Sequence, residues 1–179
     1  SVLNVFTGLG GEVGEPLVTH PDIAHIGFTG GDAAGRRIYE LAARGLKTVT
    51  LELGGKSPNI VFDDADLDQA VKGVVSGIFA ASGQSCQAGS RLLVQESVHD
   101  RFIAMLVDFM RDVKLGDPAL PDTQMGPIST RPQFEKILSF IEAAKGDGAR
   151  LVAGGGRAEG PGLDKGFFVQ PTVFADVRN

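Results

Sequence analysis

The 179-residue chain has one cysteine, no tryptophan, one tyrosine and three histidines, and each shortage excludes something. A single thiol, Cys86, cannot form an internal disulfide. His20 precedes a proline, His25 opens an apolar run and His99 lies in the first turn of an expected helix. None has a Cys, Asp or Glu at metal-ligand spacing, so no metal centre is expected and all three read as structural or surface residues. Lys and Arg number 17 against 22 Asp and Glu, a net charge of −5, and no basic run forms a stripe. Nucleic acid is therefore not an expected partner. No apolar stretch reaches the length of a membrane span or of a signal-peptide core, so no membrane association is expected. With the lone thiol, these absences point to a reducing, cytoplasmic setting. The first residue is Ser1, which reads as a removed initiator or as part of something longer.

What the chain does have is apolar content and glycine. Hydrophobic residues make up 42%, enough for one fair-sized core or two smaller lobes. The 25 glycines gather at segment junctions, not in a repeat. In the first third, "VLNVF", "AHIGF" and "KTVTLELG" read as strands, separated by a glycine loop with "EVGEPLVTH" and by "AAGRRIYELAARG". Strands alternating with helices predict a parallel sheet with crossovers. After Gly54-Gly55 a second lobe begins with the strand "PNIVF" and a helix from about Leu67 to Ser82, with Leu67, Val71, Val74 and Ile78 on one face. "RLLVQ" reads as a strand. Ser97 and Asp100 suggest a capping box for a helix with the stripe Phe102, Leu106, Phe109 and Val113. A long loop then leads to a helix carrying Phe134, Ile137, Ile141 and Ala144, and "GFFVQPTVF" closes as a strand broken by Pro171. The fold class expected is α/β, with parallel sheets and flanking helices. The division expected falls between residues 1–53 and residues 54–179.

Several positions could carry chemistry, and each has a plainer reading. Gly8, Gly10 and Gly14 miss the usual dinucleotide spacing by one residue and fit a strand-to-helix turn needing positive φ. In "FTGGDAAGR" a strand ends at Phe28, and two glycines let backbone approach a ligand ahead of a helix N-terminus. The plainer reading is a loop with Asp32 capping the helix. Alternation puts Glu52 with Thr48 and Thr50 on one strand face, solvated or, at the C-terminal end of a parallel strand, where such sheets collect ligands. Cys86 sits in "SGQSCQAGSR", a polar loop with no apolar stripe to join, where a reactive thiol and an inert one are both open. Arg36 and Arg37 fit a solvated helix face, and "GGGRAEGPGLDKG" reads as a connection.

"FTGGDAAG", "LELGGKSPNIVF", "SGQSCQAGSR", "MGPI" and "GFFVQPTVF", in this order and spacing, resemble the NAD(P)-dependent aldehyde dehydrogenase superfamily, with likeness from the first residues to the last. The 34 residues from Glu52 to Cys86 match the family's separation of general base and nucleophile. The resemblance implies that residues 1–53 belong to a Rossmann-like cofactor domain and 54–179 to a catalytic thiol domain. It implies that Cys86 attacks an aldehyde carbon to give a thiohemiacetal whose hydride passes to the nicotinamide, and that Glu52 deprotonates the water that hydrolyses the resulting thioester. It places Gly30, Gly31 and Gly35 around the pyrophosphate of NAD or NADP, Gly10 near the adenosine end, and the Leu53 carbonyl toward the carboxamide. Phe28, Gly54 and Gln133 join the cofactor-binding set. Where the family commonly reads Phe-Thr-Gly-Ser, this chain has Gly31, which implies a lost hydroxyl contact to phosphate. A small-molecule aldehyde is the implied substrate, with small or polar Ser85 and Gln87 flanking the thiol, and the full-length protein is expected to form a homo-oligomer. The family's upstream asparagine and ribose reader and its downstream Glu-x-Phe-Gly-Pro segment are missing, so the chain alone is expected to be inactive. Coenzyme-A-acylating or acyl-phosphate-reducing relatives share the fold and thiol, and a non-catalytic protein could retain both.

Overall fold

The computed structural model describes residues 2–178. It divides into two compact units, Ser1–Gly55 and Lys56–Asn179.

In the first unit a wide π-type turn, Gly10–Gly14, continues into helix α1, Glu15–Thr19, with Pro16 in its first turn. Strand β1 (His25–Gly30), helix α2 (Asp32–Ala43) and strand β2 (Thr48–Leu53) follow. β1 and β2 pair in parallel, from His25 opposite Thr48 to Gly30 opposite Leu53. A parallel pair cannot be closed by a tight turn, and α2 supplies the crossover it needs. Val18, Leu41 and Ala42 are buried together, with Ile26, Ile38 and Val49 packed on them. Arg37 is more than a solvated residue: its Nε and Nη2 donate to the two Glu15 carboxylate oxygens at 2.9 and 3.2 Å, tying α1 to α2. That hydrogen-bonded guanidinium holds the Glu15 carboxyl below its usual range. Exposed pairs of this kind add little stability.

Four expectations for this unit are corrected. Val2, Leu3, Val5 and Phe6 are exposed and residues 2–6 form no strand; strands exist only as members of a ladder, and among the described residues the ladder of β1 runs to β2. The glycine loop is wound into the helical turn from Gly10, and neither Gly8, Gly10 nor Gly14 has positive φ. β1 continues past Phe28 to Gly30. Asp32 is the first residue of α2 and caps nothing, because the N-cap position falls on Gly31.

In the second unit, strand β3 (Pro58–Val61), helix α3 (Leu67–Phe79) and strand β4 (Arg91–Val94) repeat the parallel crossover, Pro58 opposite Arg91. Asp66 starts α3 by accepting from the Asp68 and Gln69 amides. A 3₁₀ turn, Ala80–Gly83, ends it earlier than the helix expected to run through Ser82. Helix α4 (His99–Met110) lays Phe102 and Leu106, 0% and 2% exposed, against Val71, Val74 and Val75 of α3. Truncating a buried phenylalanine to alanine typically costs about 3–5 kcal/mol, so Phe102→Ala is expected to destabilise this unit markedly. Helix α5 (Arg131–Gly146), capped by Thr130, buries Phe134 and Ile141 with Ile128 and Val169. Strands β5 (Arg150–Ala153) and β6 (Val173–Ala175) pair antiparallel.

The α/β class stands, with that antiparallel pair added to the parallel ones. Strand β5 has no counterpart among the strands expected from sequence, and the closing strand is shorter, beginning after Pro171. The capping box of α4 does not form: Val98 is the N-cap, Ser97 donates to Asp63 Oδ2 at 3.1 Å, and Asp100 faces His99. Met110, not Phe109, takes the third buried place on α4, because Phe109 is 38% exposed.

Candidate functional site

The first unit gathers most of the predicted positions at the C-terminal edge of the β1–β2 pair. Register sets Phe28 beside Leu51, Thr29 beside Glu52 and Gly30 beside Leu53. A Cβ on Gly30 would lie 2.5 Å from the Phe28 ring, and one on Gly35 would lie 2.6 Å from Leu53 Cδ2. Bare backbone at these two positions lets the ring fold over the strand end and lets α2 pack on β2. At Gly31 a Cβ would meet nothing within 4 Å. The Gly35 amide donates to the Gly31 carbonyl at 3.0 Å, opening α2, and no side chain caps that helix. Its first-turn N–H groups therefore suit an outside acceptor, in the way helix N-termini hold anions.

Glu52 is exposed, as are Thr48 and Thr50, while Val49, Leu51 and Leu53 are half-buried, in the alternation the sequence predicts. Its carboxylate makes no hydrogen bond or ion pair among the described residues. Gly54, also exposed, follows the strand end. Gly10 belongs to another element, opening the turn ahead of α1.

Cys86 and Gln133 lie in the second unit. The chain leaves α3 through three consecutive residues with left-handed backbone, Ala81, Ser82 and Gly83, at φ of 50°, 54° and 73°. Such backbone costs an L-residue roughly 1–2 kcal/mol, so Ala81 and Ser82 are held there by their surroundings. A turn then closes with the Ala88 amide donating to the Ser85 carbonyl at 3.1 Å, which puts Cys86 at the corner. The thiol is exposed. The Cys86 amide makes no hydrogen bond among the described residues. Gln133 stands exposed in the first turn of α5, its amide donating to Thr130 Oγ1 at 3.4 Å.

Two residues of this loop carry contacts that sequence alone does not reveal. Ser82 is buried and its hydroxyl donates to the Gly126 carbonyl at 2.8 Å. Gln84 Oε1 accepts from the Ser129 amide at 3.1 Å. These contacts span 44 and 45 residues of chain, beyond any local pattern. Both residues fall near segments that carry the family resemblance, "SGQSCQAGSR" and "MGPI", but nothing in those segments signals a contact between them. Among the described residues no group of three or more His, Cys, Asp or Glu could hold a metal ion, and no helix is long and apolar enough to cross a membrane.

Parallel crossover units carrying an open helix end in one and an exposed corner thiol in the other define an α/β fold with a glycine-rich strand edge and a cysteine loop. The chain belongs to the aldehyde dehydrogenase family, which matches residues 1–179. It is 48% identical over 176 residues to a chloroplastic aminoaldehyde dehydrogenase of Arabidopsis thaliana and 46% identical to a peroxisomal aminoaldehyde dehydrogenase of Pisum sativum, each match covering 98% of this chain and 35% of the relative. Among solved structures, betaine aldehyde dehydrogenase from Staphylococcus aureus in complex with NAD+ superposes with a TM-score of 0.93 at 41% identity, over 96% of this chain and 34% of that one. An apo variant of the same enzyme matches at 0.88 and 41% identity, over 91% of this chain and 32% of that one. It bears a glycine-to-serine substitution 55 residues before its mercaptoethanol-modified cysteine. The chain thus spans about a third of the length of the relatives it matches. The cytoplasmic expectation is corrected: relatives this similar are named as chloroplastic or peroxisomal, and a lone unpaired thiol fits those compartments equally well.

Proposed function

We propose that the protein containing this chain oxidises an aldehyde to a carboxylic acid with hydride transfer to NAD+. In this reading residues 1–53 contribute to cofactor binding and 54–179 carry the thiol. The observation that carries it is Cys86 itself, an exposed thiol at a turn corner with an unengaged amide, in a chain that matches the aldehyde dehydrogenase family throughout.

Cys86 Sγ adds to the aldehyde carbon, and the carbonyl oxygen takes up the charge. The Cys86 N–H, having no other acceptor among the described residues, donates to that oxygen. One such donor supplies about 3 kcal/mol in comparable reactions. Bound NAD+ supplies the hydride acceptor. Loss of hydride leaves a thioester on Cys86, and Glu52 takes a proton from the water that attacks it, releasing acid and free thiol. The first turn of α2, with Gly30 and Gly31 beside it, would hold the pyrophosphate. Phe28, Gly35, Leu53 and Gly54 shape that edge, and Gly10 and Gln133 are assigned to the same cofactor through the family likeness. The names of the relatives favour an aldehyde bearing an amino or quaternary ammonium group, and a homo-oligomer is the assembly proposed for the full protein.

The direct test follows absorbance at 340 nm for the intact protein with NAD+ and either betaine aldehyde or an aminoaldehyde. Turnover independent of coenzyme A is expected. Strict dependence on coenzyme A would replace hydrolysis by acyl transfer, and no turnover with any aldehyde would contradict the reading.

Gly31 offers a second test. The 55 residues from Gly31 to Cys86 equal the separation between the substituted glycine and the modified cysteine in the S. aureus variant. A serine here has free space for its Cβ and could add one hydroxyl donor to a phosphate. Gly31→Ser is expected to tighten NAD+ binding roughly tenfold, about the worth of one hydrogen bond to a charged group. Calorimetry showing unchanged affinity would count against Gly31 as a pyrophosphate contact.

A further inference from the structure

We infer that Ser82 and Gln84 are positioning residues that fasten the Cys86 loop to the Met125–Ser129 segment and so fix where the sulfur stands. The inference rests on the reading of Cys86 as nucleophile. Three successive left-handed residues, two of them not glycine, turn the chain from α3 into the loop. Backbone of this kind persists only where neighbouring structure over-determines it. Two side chains do so here. Ser82, 9% exposed, donates its hydroxyl to the Gly126 carbonyl at 2.8 Å. Gln84 works from both ends of its amide, Nε2 donating to the Ala81 carbonyl at 3.2 Å and Oε1 accepting from the Ser129 amide at 3.1 Å.

Both long-range bonds reach backbone in a segment that is itself anchored. Met125 and Ile128 are buried, the Met125 amide donates to the Lys114 carbonyl at 3.1 Å, and the Ile128 amide donates to the Phe167 carbonyl at 2.9 Å. On its far side the loop is held by the Gly89 amide donating to the Gly77 carbonyl at 3.1 Å. Cys86 lies between these fixed points, two residues beyond Gln84. The "MGPI" quartet thereby becomes the wall against which the cysteine loop is braced. A nucleophile must meet its carbon in near-attack geometry, and misplacement by an ångström costs on the order of a hundredfold in rate.

The test uses the intact protein with betaine aldehyde and NAD+. Ser82→Gly relieves the strained backbone but loses the hydroxyl. Ser82→Asn also tolerates positive φ and keeps a donor for Gly126. Ser82→Gly and Gln84→Ala are each expected to lower kcat roughly ten- to a hundredfold, with KM for NAD+ unchanged and faster deuterium exchange at the Ser129 amide. Ser82→Asn is expected to keep most of kcat, a rescue that general loss of folding would not give. If Ser82→Gly fails to fold, Gln84→Ala, which leaves Ser82 in place, decides by the same readouts. Unchanged kcat in these variants, in a protein that Cys86→Ser inactivates, overturns the positioning role and leaves the nucleophile reading intact. Full turnover in Cys86→Ser overturns both, through the nucleophile.

Discussion

Replacing Cys86 by serine in the intact protein is expected to lower aldehyde oxidation by about four orders of magnitude while NAD+ still binds. The substitution changes one atom at an exposed turn corner. It touches no buried contact, so folding should survive it. The two groups differ in chemistry far more than in size. A thiol near neutral pH is partly thiolate and strongly nucleophilic, whereas a serine hydroxyl needs a base to activate it. The structure gives Cys86 no side-chain hydrogen-bond partner among the described residues, so a serine there would lack one too. Equilibrium binding of NAD+ should be nearly unchanged, because the proposed pyrophosphate contacts are backbone N–H groups at the start of α2, which the substitution leaves as they are. Retention of more than a few per cent of wild-type turnover would mean that another group attacks the aldehyde.

The second large effect is expected at Glu52. Glu52→Gln keeps shape and removes only the capacity to accept a proton. On the exposed face of β2 it has little packing to disturb. Acylation and hydride transfer should still run once, giving a burst of NADH equal to the number of thiols. The steady rate afterwards should fall by about 10²- to 10⁴-fold, the usual contribution of a general base. Rapid-mixing absorbance at 340 nm separates the two phases. A variant that loses the burst along with the steady rate would assign Glu52 to an earlier step, and one that keeps its full steady rate would remove Glu52 from the mechanism.

The features legible in sequence were those set by a local period or a local composition. Leu67, Val71 and Val74 repeat at helical spacing, and they are buried against Phe102 and Leu106 as that spacing requires. The alternation in "TVTLEL" announced which face of β2 Glu52 would occupy. A polar, glycine-containing loop signalled an exposed Cys86. Where neighbours distant in sequence decide, local signals failed. The residues "VLNVF" have strand character but no ladder among the described residues, and "RLVA" is too short to stand out yet becomes β5 because β6 pairs with it. Ser97 could cap α4 but bonds instead to Asp63, on the far side of β4 and α3 in sequence. The bracing by Ser82 and Gln84 failed to show for the same reason: its long-range acceptor, the Gly126 carbonyl, and donor, the Ser129 amide, belong to a loop more than forty residues away.

The measurement closest to the heart of the mechanism is intact-mass and peptide mass spectrometry of the Glu52→Gln protein, quenched in acid after mixing with NAD+ and betaine aldehyde. One acyl group per chain, released by hydroxylamine and mapped to the peptide containing Cys86, is the predicted result. An unmodified Cys86 peptide in a protein that has produced its burst of NADH would contradict it, because the oxidised carbon would then have passed through the reaction without bonding to that sulfur.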